Sequence, residues 1–531
     1  MPANGNSIQE LNKLNLKSRI RKILIAGVLL LAMARISVAQ TFKLKCNGKK
    51  IEVQEQNDVP FSYGLATYKY ARATYEGIPL DMEITVDGFE FAHSDWDISP
   101  HSYRIQGVKR GNTLLFTINR TGYLVLRFKK NQDFTKRIVI FIEPPEEKPK
   151  GELVDIVKTY KVDNSGKINE TEKIQLALNE ISGSGKVLYF PDGIYKSFML
   201  HIKSNSKIHL SKNSRIIADA STMEPYLNND NTGVNRFILI RNAHNIQLTG
   251  LGGFDGNGTY FRGVFDPNGS KGKGTMRVLF IVNSKNILFD GILLKDAARW
   301  NTQILGCENI TFRNCKMINN PNPNNNLSNF DGWDPDASKR LLIENCFGWA
   351  GDDNVAIKCT GTGSPKILQD VEDITIRGCV FLTKKTALKI GTETRCDNYR
   401  RIVFEDNDVV EADRVMGINV RDKAVVDGVL FSNIRAEYNY PDRKQMWMNI
   451  YITRRENNQP WTGKIKNVTI EDCTFEQAFP NKINILRIES HTKPEDLQIT
   501  FKNLRSGKHQ INFLDPDYFD IAKCNGLIRF K

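Results

Sequence analysis

The sequence predicts an all-β protein, a right-handed parallel β-helix preceded by a small β-sandwich. Three observations lead there. Eight segments repeat one pattern: HNIQLTGLGG, KNILFDGILL, ENITFRNCKM, KRLLIENCFG, EDITIRGCVF, YRRIVFEDNDV, VDGVLFSNIRA and IKNVTIEDCTF. Each alternates apolar and polar residues and then breaks at Asn, Gly or Asp. The residues after the break fall at 251, 292, 315, 346, 379, 407, 434 and 473, mostly 23 to 41 apart. Short strands at such a period, with no helical periodicity between them, describe a stacked solenoid whose coils bury alternate residues against their neighbours.

From the N-terminus, residues 1–39 read as a signal peptide. Lys17, Arg19, Arg21 and Lys22 precede the run ILIAGVLLLAMA, and Ser37-Val38-Ala39 offers a cleavage site before Gln40. The apolar run is too short to anchor a mature chain, so export to the periplasm or outside and no membrane insertion are expected. Residues 40–143 carry short alternating strands such as MEITVDGFEF and RIVIFIEP between Gly, Asn and Asp turns, the mark of a β-sandwich. The Pro- and charge-rich stretch 144–152 reads as a linker, and 153–531 as the β-helix. One helix is expected, NETEKIQLALNEIS (169–182), with Ile174, Leu178 and Ile181 on one side and Asn169 as N-cap. It would close the open end of the solenoid.

A second ladder, DDNVAIKCT, KTALKIGTE, VMGINVRDK and WMNIYITRR, aligns Val355, Leu388, Ile418 and Ile450 at intervals of 33, 30 and 32. Alternation then places Val355, Ile357, Leu388, Ile390, Ile418, Val420, Ile450 and Ile452 inside. Ala356, Lys389, Asn419 and Tyr451 form one outer column, and Lys358, Gly391, Arg421 and Thr453 the next. This face reads as the floor of a cleft. Four of the nine cysteines, Cys315, Cys346, Cys379 and Cys473, share one repeat position, which argues for a buried stack rather than crosslinks.

The formal charge of +14 includes six basic residues and one acid in the leader, so about +9 remains. That favours an anionic partner, and no zinc-finger, RNA-recognition or helix-turn-helix pattern points to nucleic acid. The stretch NFDGWDPDASKRLLIENCFGWAGDDNVAIK concentrates the chemistry. Asp331 lies 21 residues before the adjacent pair Asp352 and Asp353, on what the repeat makes successive coils. Crowded carboxylates raise one another's pKa, which keeps one protonated as an acid while the others stay ionised. DGWDPD also offers alternate oxygens suited to calcium but completes no known loop, so no metal and no cofactor are expected. Asp334 and Asp336 are expected to cap turns. The Asn-rich run 319–326 reads as a loop beside the cleft. Trp300, Trp333 and Trp349 are equally suited to sugar stacking and to packing.

NETEKIQLALNEISGSGKVLYFPDGIYKS, LHIKSNSKIHLSKNSRIIAD and GLGGFDGNG resemble the opening coils of glycoside hydrolase family 28, the polygalacturonase family. NFDGWDPDAS and GDDNVAIKCTG are similar to its Asn-Thr-Asp and Asp-Asp motifs, and the likeness spans about 155–480. The sandwich joined to a β-helix resembles the dextranases of family 49 in architecture. The resemblance implies an inverting glycoside hydrolase with Asp352 as general acid and Asp331 and Asp353 activating water. It implies Lys358, Lys389, Asn419 and Arg421 as substrate-binding residues. Where the family has Gly-His-Gly this chain has Lys385-Thr386-Ala387, and Arg-Ile-Lys becomes Asn419-Val420-Arg421. The implied partner is an acidic, pectin-type polysaccharide or oligosaccharide bound by a monomer. A dextranase-like enzyme, a polysaccharide lyase using Lys389 or Arg421 as base, and a non-catalytic glycan-binding β-helix are the alternatives.

Overall fold

The computed structural model describes residues 42–531 except 56–67, 88–91, 93–94, 131–132, 220–234, 266–275, 320–328, 440–445, 457–461, 477–485, 517 and 522. The leader 1–39 and most of the Asn-rich run 319–326 therefore lie outside the described residues. From Leu153 onward the chain winds into a right-handed parallel β-helix, as the repeats predict. Two sheets of thirteen strands and one of eleven form its walls. Successive strands in each wall pair in parallel, residue over residue, as in Ile287, Ile310, Leu341, Ile374 and Ile402, apart from the antiparallel pair Leu504–Ser506 and His509–Ile511 at the C-terminal end.

The polar breaks in the repeat are the corners of the coils. Asn314, Asn345, Asp406, Asn433 and Asp472 all have φ between 51° and 54°, and Gly378 takes the same place. This left-handed conformation is one that Asn, Asp and Gly adopt at least cost, so the break residue is dictated by the turn. A second asparagine corner is tied coil to coil by side-chain amides, Asn309 to Asn286 at 2.8 Å and Asn286 to Asn245 at 3.2 Å. Cys315, Cys346, Cys379 and Cys473 are fully buried and free, and the Cys346 N–H donates to the Cys379 sulfur at 3.4 Å. Asn407 continues this stack, accepting the Cys379 N–H at 3.0 Å and donating to the Ile376 carbonyl at 3.0 Å.

A helix, Thr171–Ile181, covers the N-terminal end with Ile174, Ala177, Leu178 and Ile181 buried on the first coils. The cap position is Glu170 rather than Asn169; the Asn169 side chain accepts the Thr171 N–H at 3.0 Å from one residue further back. Two further helices, Ile156–Tyr160 and Gly258–Phe265, are too short to show in the sequence pattern.

Residues 42–143 form two five-stranded sheets around a core of residues such as Leu44, Ile84, Leu114, Leu126 and Ile140. One sheet turns a second apolar face, Tyr70, Tyr123, Val125, Val139 and Phe141, onto Leu293, Ile318, Phe347, Trp349 and Val380 of the β-helix. A buried polar seam joins the same surfaces. Arg127 donates to Glu437 at 3.0 Å, to Ser99 at 2.9 Å and to Asp97, and Arg137 donates to Glu411 at 2.9 Å. The sandwich lies against the wall between corners and leaves the eleven-stranded wall, which carries the aspartates, uncovered by these contacts.

Candidate active site

The eleven-stranded wall contains, in order, Arg277–Val282, Thr302–Leu305, Trp333–Asp336, Val355–Cys359, Thr386–Thr394, Arg414–Val420 and Met446–Ile452. All eight ladder residues expected inside are buried in the solenoid core. Lys358, Lys389 and Asn419, which alternate with them, lie on the other side of the wall. Asp331 precedes the strand Trp333–Asp336, and Asp352 and Asp353 precede the next, so the aspartates converge because adjacent parallel strands stack about 4.8 Å apart.

Two lysines from the wall enter this cluster. Lys358 Nζ lies 2.7 Å from Asp331 Oδ2, 2.8 Å from Asp334 Oδ1 and 3.7 Å from the centroid of the Trp300 ring. Lys389 Nζ donates to Asp353 Oδ2 at 2.5 Å, and the Thr386 N–H holds the other oxygen at 3.0 Å. Among the described residues Asp352 forms no ion pair. Its oxygens accept the Asn329 N–H at 2.6 Å and the Asp353 N–H at 3.0 Å.

These surroundings separate the three carboxyls. Burial, reinforced by the charges of Asp331 and Asp353, pushes Asp352 up to about 7. Burial would also raise Asp353, but Lys389, Arg414 and Lys358 outweigh it and hold the group at about 2. Burial and the nearby Asp334 and Asp353 push Asp331 up although Lys358 opposes them, and the same contact drives the Lys358 ammonium well above its ordinary value. A carboxyl touching an ammonium keeps its charge more readily than one facing only neutral donors. Burial lifts Asp331 and Asp352 alike to about 7, and of the two only Asp331 touches an ammonium, so Asp352 more readily keeps a proton.

Several expectations need correction. Lys389 and Asn419 are not neighbours: Lys389 pairs with Gly417, and Asn419 with Gly391. The strand Thr386–Thr394 pairs with Arg414–Val420 in unbroken register, Leu388 on Met416 and Ile390 on Ile418, two residues from the expected alignment. Asn419 instead donates to the Asn449 carbonyl of the following coil at 2.9 Å. Gly391 is required here, because it sits at φ +97° and a Cβ would lie 2.2 Å from the Asn419 carbonyl oxygen. Asp334 and Asp336 do not cap turns; both lie in a strand and face the cleft side. Asp334 meets Lys358, and Asp336 accepts from Thr360 Oγ1 at 2.6 Å and Gln303 at 2.8 Å, bonds that come from other coils.

Arg421 follows the strand Arg414–Val420, half-buried, with its N–H on Thr394 Oγ1 at 3.2 Å and its charge close to Tyr451. Of the three tryptophans, Trp333 fills the solenoid interior and Trp349 packs on Tyr68 of the sandwich. Trp300 alone of these lies among the cleft cations. Sequence reasoning missed Arg277, Arg299 and Arg414, which belong to no motif and reach the site only through the stacking of coils.

Comparison with known proteins places the chain. The model of the family "Glycosyl hydrolases family 28" matches residues 196–517. A curated relative, "Probable endo-xylogalacturonan hydrolase A" of Aspergillus fumigatus, is 30% identical over 175 residues, 32% of this chain and 40% of the relative. The match thus spans well under half of that protein. Among solved structures, the family 28 exopolygalacturonase of Yersinia enterocolitica superposes with a TM-score of 0.55 at 15% identity, covering 90% of this chain and 98% of that one. Dex49A from Penicillium minioluteum superposes with a TM-score of 0.58 at 12% identity over 92% of this chain and 93% of its own. That second coverage takes in the sandwich as well as the β-helix, so the two-part architecture recurs there. With the family model spanning more than half of its length, the chain belongs to glycosyl hydrolases family 28.

Proposed function

We propose that the protein is an exported, monomeric glycoside hydrolase that cuts an acidic, pectin-type polysaccharide with inversion. Asp352 donates a proton to the glycosidic oxygen, and Asp331 and Asp353 orient and deprotonate the attacking water. The observation that carries this reading is the opposite fate of two adjacent carboxyls. Asp352 is held protonated near neutral pH by burial and like charges, while Asp353 is held ionised by Lys389. An acid and a base maintained side by side are what glycoside hydrolysis requires. Inversion needs carboxyls about 6.5–9.5 Å apart to admit water, and a pair on successive strands with side chains turned to different partners suits that range.

Lys358, Lys389 and Arg421 bind the substrate in this reading, with Asn419 bordering the same surface. A lyase is disfavoured, because Lys389 is locked to Asp353 and its proton is held more firmly than usual, the reverse of a base. Export rests on the leader at 1–39, and among the described residues no helix is long and apolar enough to cross a membrane. The test is reducing-sugar release by residues 40–531 from polygalacturonan, rhamnogalacturonan and dextran, with Asp352→Asn in parallel. Release from an acidic glycan that disappears in the variant, with the product's anomeric configuration inverted by NMR, is the expected outcome. Release from dextran alone would replace the acidic substrate with a neutral glucan.

A further inference from the structure

The substrate-binding cations named so far lie among the aspartates or toward the C-terminal coils, yet the cleft carries others on the N-terminal side. Arg277 opens a strand two places before Trp333–Asp336 in the same wall. Its guanidinium carbon lies 4.8 Å from the centroid of the Trp300 ring, and that of Arg299 lies 6.0 Å from it. With Lys358, three cations surround one indole. Lys358 touches Asp331 and Asp334 directly, whereas Asp334, Asp336 and Asp331 act on Arg277 only from beyond ion-pair distance and offset its desolvation in part. Among the described residues no carboxylate or other acceptor bonds either guanidinium, and the Arg277 Nε is buried with nothing to donate to.

This arrangement is costly in the free protein. Desolvation and the adjacent charge of Arg299 bring the Arg277 guanidinium down to about 10. A cation–π contact contributes on the order of 0.5–2 kcal/mol, less than the cost of leaving a buried cation and its donors unpaired. An anion entering the cleft would relieve both arginines. The planar, five-donor guanidinium matches a carboxylate in bidentate fashion, whereas a neutral sugar offers no charge to balance it.

We infer that Arg277 and Arg299, spaced by Trp300, form a second carboxylate-binding subsite on the N-terminal side of the aspartates. The enzyme then requires an acidic sugar on each side of the bond it cuts. This rests on the reading of the chain as a hydrolase of acidic glycans. The test compares kcat/KM for hexagalacturonate with that for the same oligomer after its carboxyls are reduced to alcohols. In Arg277→Gln the ratio of the two should fall about ten- to a hundredfold, the effect of one lost charged hydrogen-bond pair, with partial recovery in Arg277→Lys. Arg299→Gln, at a more peripheral site, should move the ratio in the same direction. A ratio unchanged in both glutamine variants would overturn the subsite and leave the hydrolase reading intact. Failure of the unmodified protein to cleave hexagalacturonate, with release from dextran, would overturn both.

Discussion

Replacing Asp352 with asparagine should remove activity and, above neutral pH, make the protein more stable. The carboxyl is lifted from 3.8 to about 7, some three pH units. At about 1.4 kcal/mol per unit this is about 4 kcal/mol of strain when the group is forced to ionise. Asparagine keeps the shape but accepts the Asn329 and Asp353 N–H bonds less strongly, at a cost of about 1–2 kcal/mol. A net gain of about 2 kcal/mol remains. The native state keeps a proton that the unfolded chain loses between 3.8 and about 7, so stability falls as pH rises through that window. The variant escapes that fall. Urea unfolding at pH 8 should show a higher midpoint for Asp352→Asn than for the unmodified protein, and the difference should vanish near pH 4. A lower midpoint at pH 8, or a gain independent of pH, would refute the claim that the cluster's proton resides on Asp352.

Three further outcomes follow from the same contacts. The kcat/KM on an acidic oligosaccharide should decline as pH rises through about 7, when Asp352 loses its proton, with unit slope in a stopped pH-rate series. Lys389→Met should destabilise by about 3 kcal/mol at pH 7, because it leaves Asp353 buried with the Thr386 N–H as its direct donor and only the more distant charges of Arg414 and Lys358. Asp353 is depressed to about 2, so the stability that Lys389 confers is present above 3.8 and lost as pH falls toward 2; the penalty of Lys389→Met should shrink there in acid-unfolding curves. Arg127→Met should cost less, about 2–3 kcal/mol, because Asp97 keeps His101 and Glu437 keeps Ser99 and the His101 N–H, and limited proteolysis should then cut the 42–143 region before the β-helix.

Alternation and corner chemistry made the solenoid legible, because both are local. Every coil must bury the same positions and turn at residues that tolerate positive φ, and the sequence repeats those demands. Register was less legible. Shifting the strand Arg414–Val420 by two residues keeps Ile418 and Val420 inside, so parity alone could not reveal that Lys389 faces Gly417 and not Asn419. Asp334 was misread for a related reason. Asp-Pro-Asp looks like a turn in isolation, and only Lys358, arriving from the next coil, explains a buried carboxylate in a strand. The tryptophans were indistinguishable in sequence, since Trp333 and Trp300 lie at the same wall and differ in which side of it they face, while Trp349 lies in another wall, against the sandwich.

The replacement of the family's histidine by Thr386 bears on how the site is held together. Asp353 needs two things, a donor to fix its direction and a positive charge to keep it ionised. The first is supplied by the Thr386 backbone N–H at 3.0 Å, which the side chain at 386 does not affect. The second is supplied by Lys389, three residues further along the same strand, at 2.5 Å. A histidine at 386 would be a weaker guarantor of that charge, because its own protonation changes across neutral pH, whereas a salt-bridged lysine stays charged. The substitution therefore leaves the ionisation of Asp353 independent of pH down to about 2. Under the proposed mechanism the protonation of Asp352 then sets the alkaline limb of the pH-rate profile.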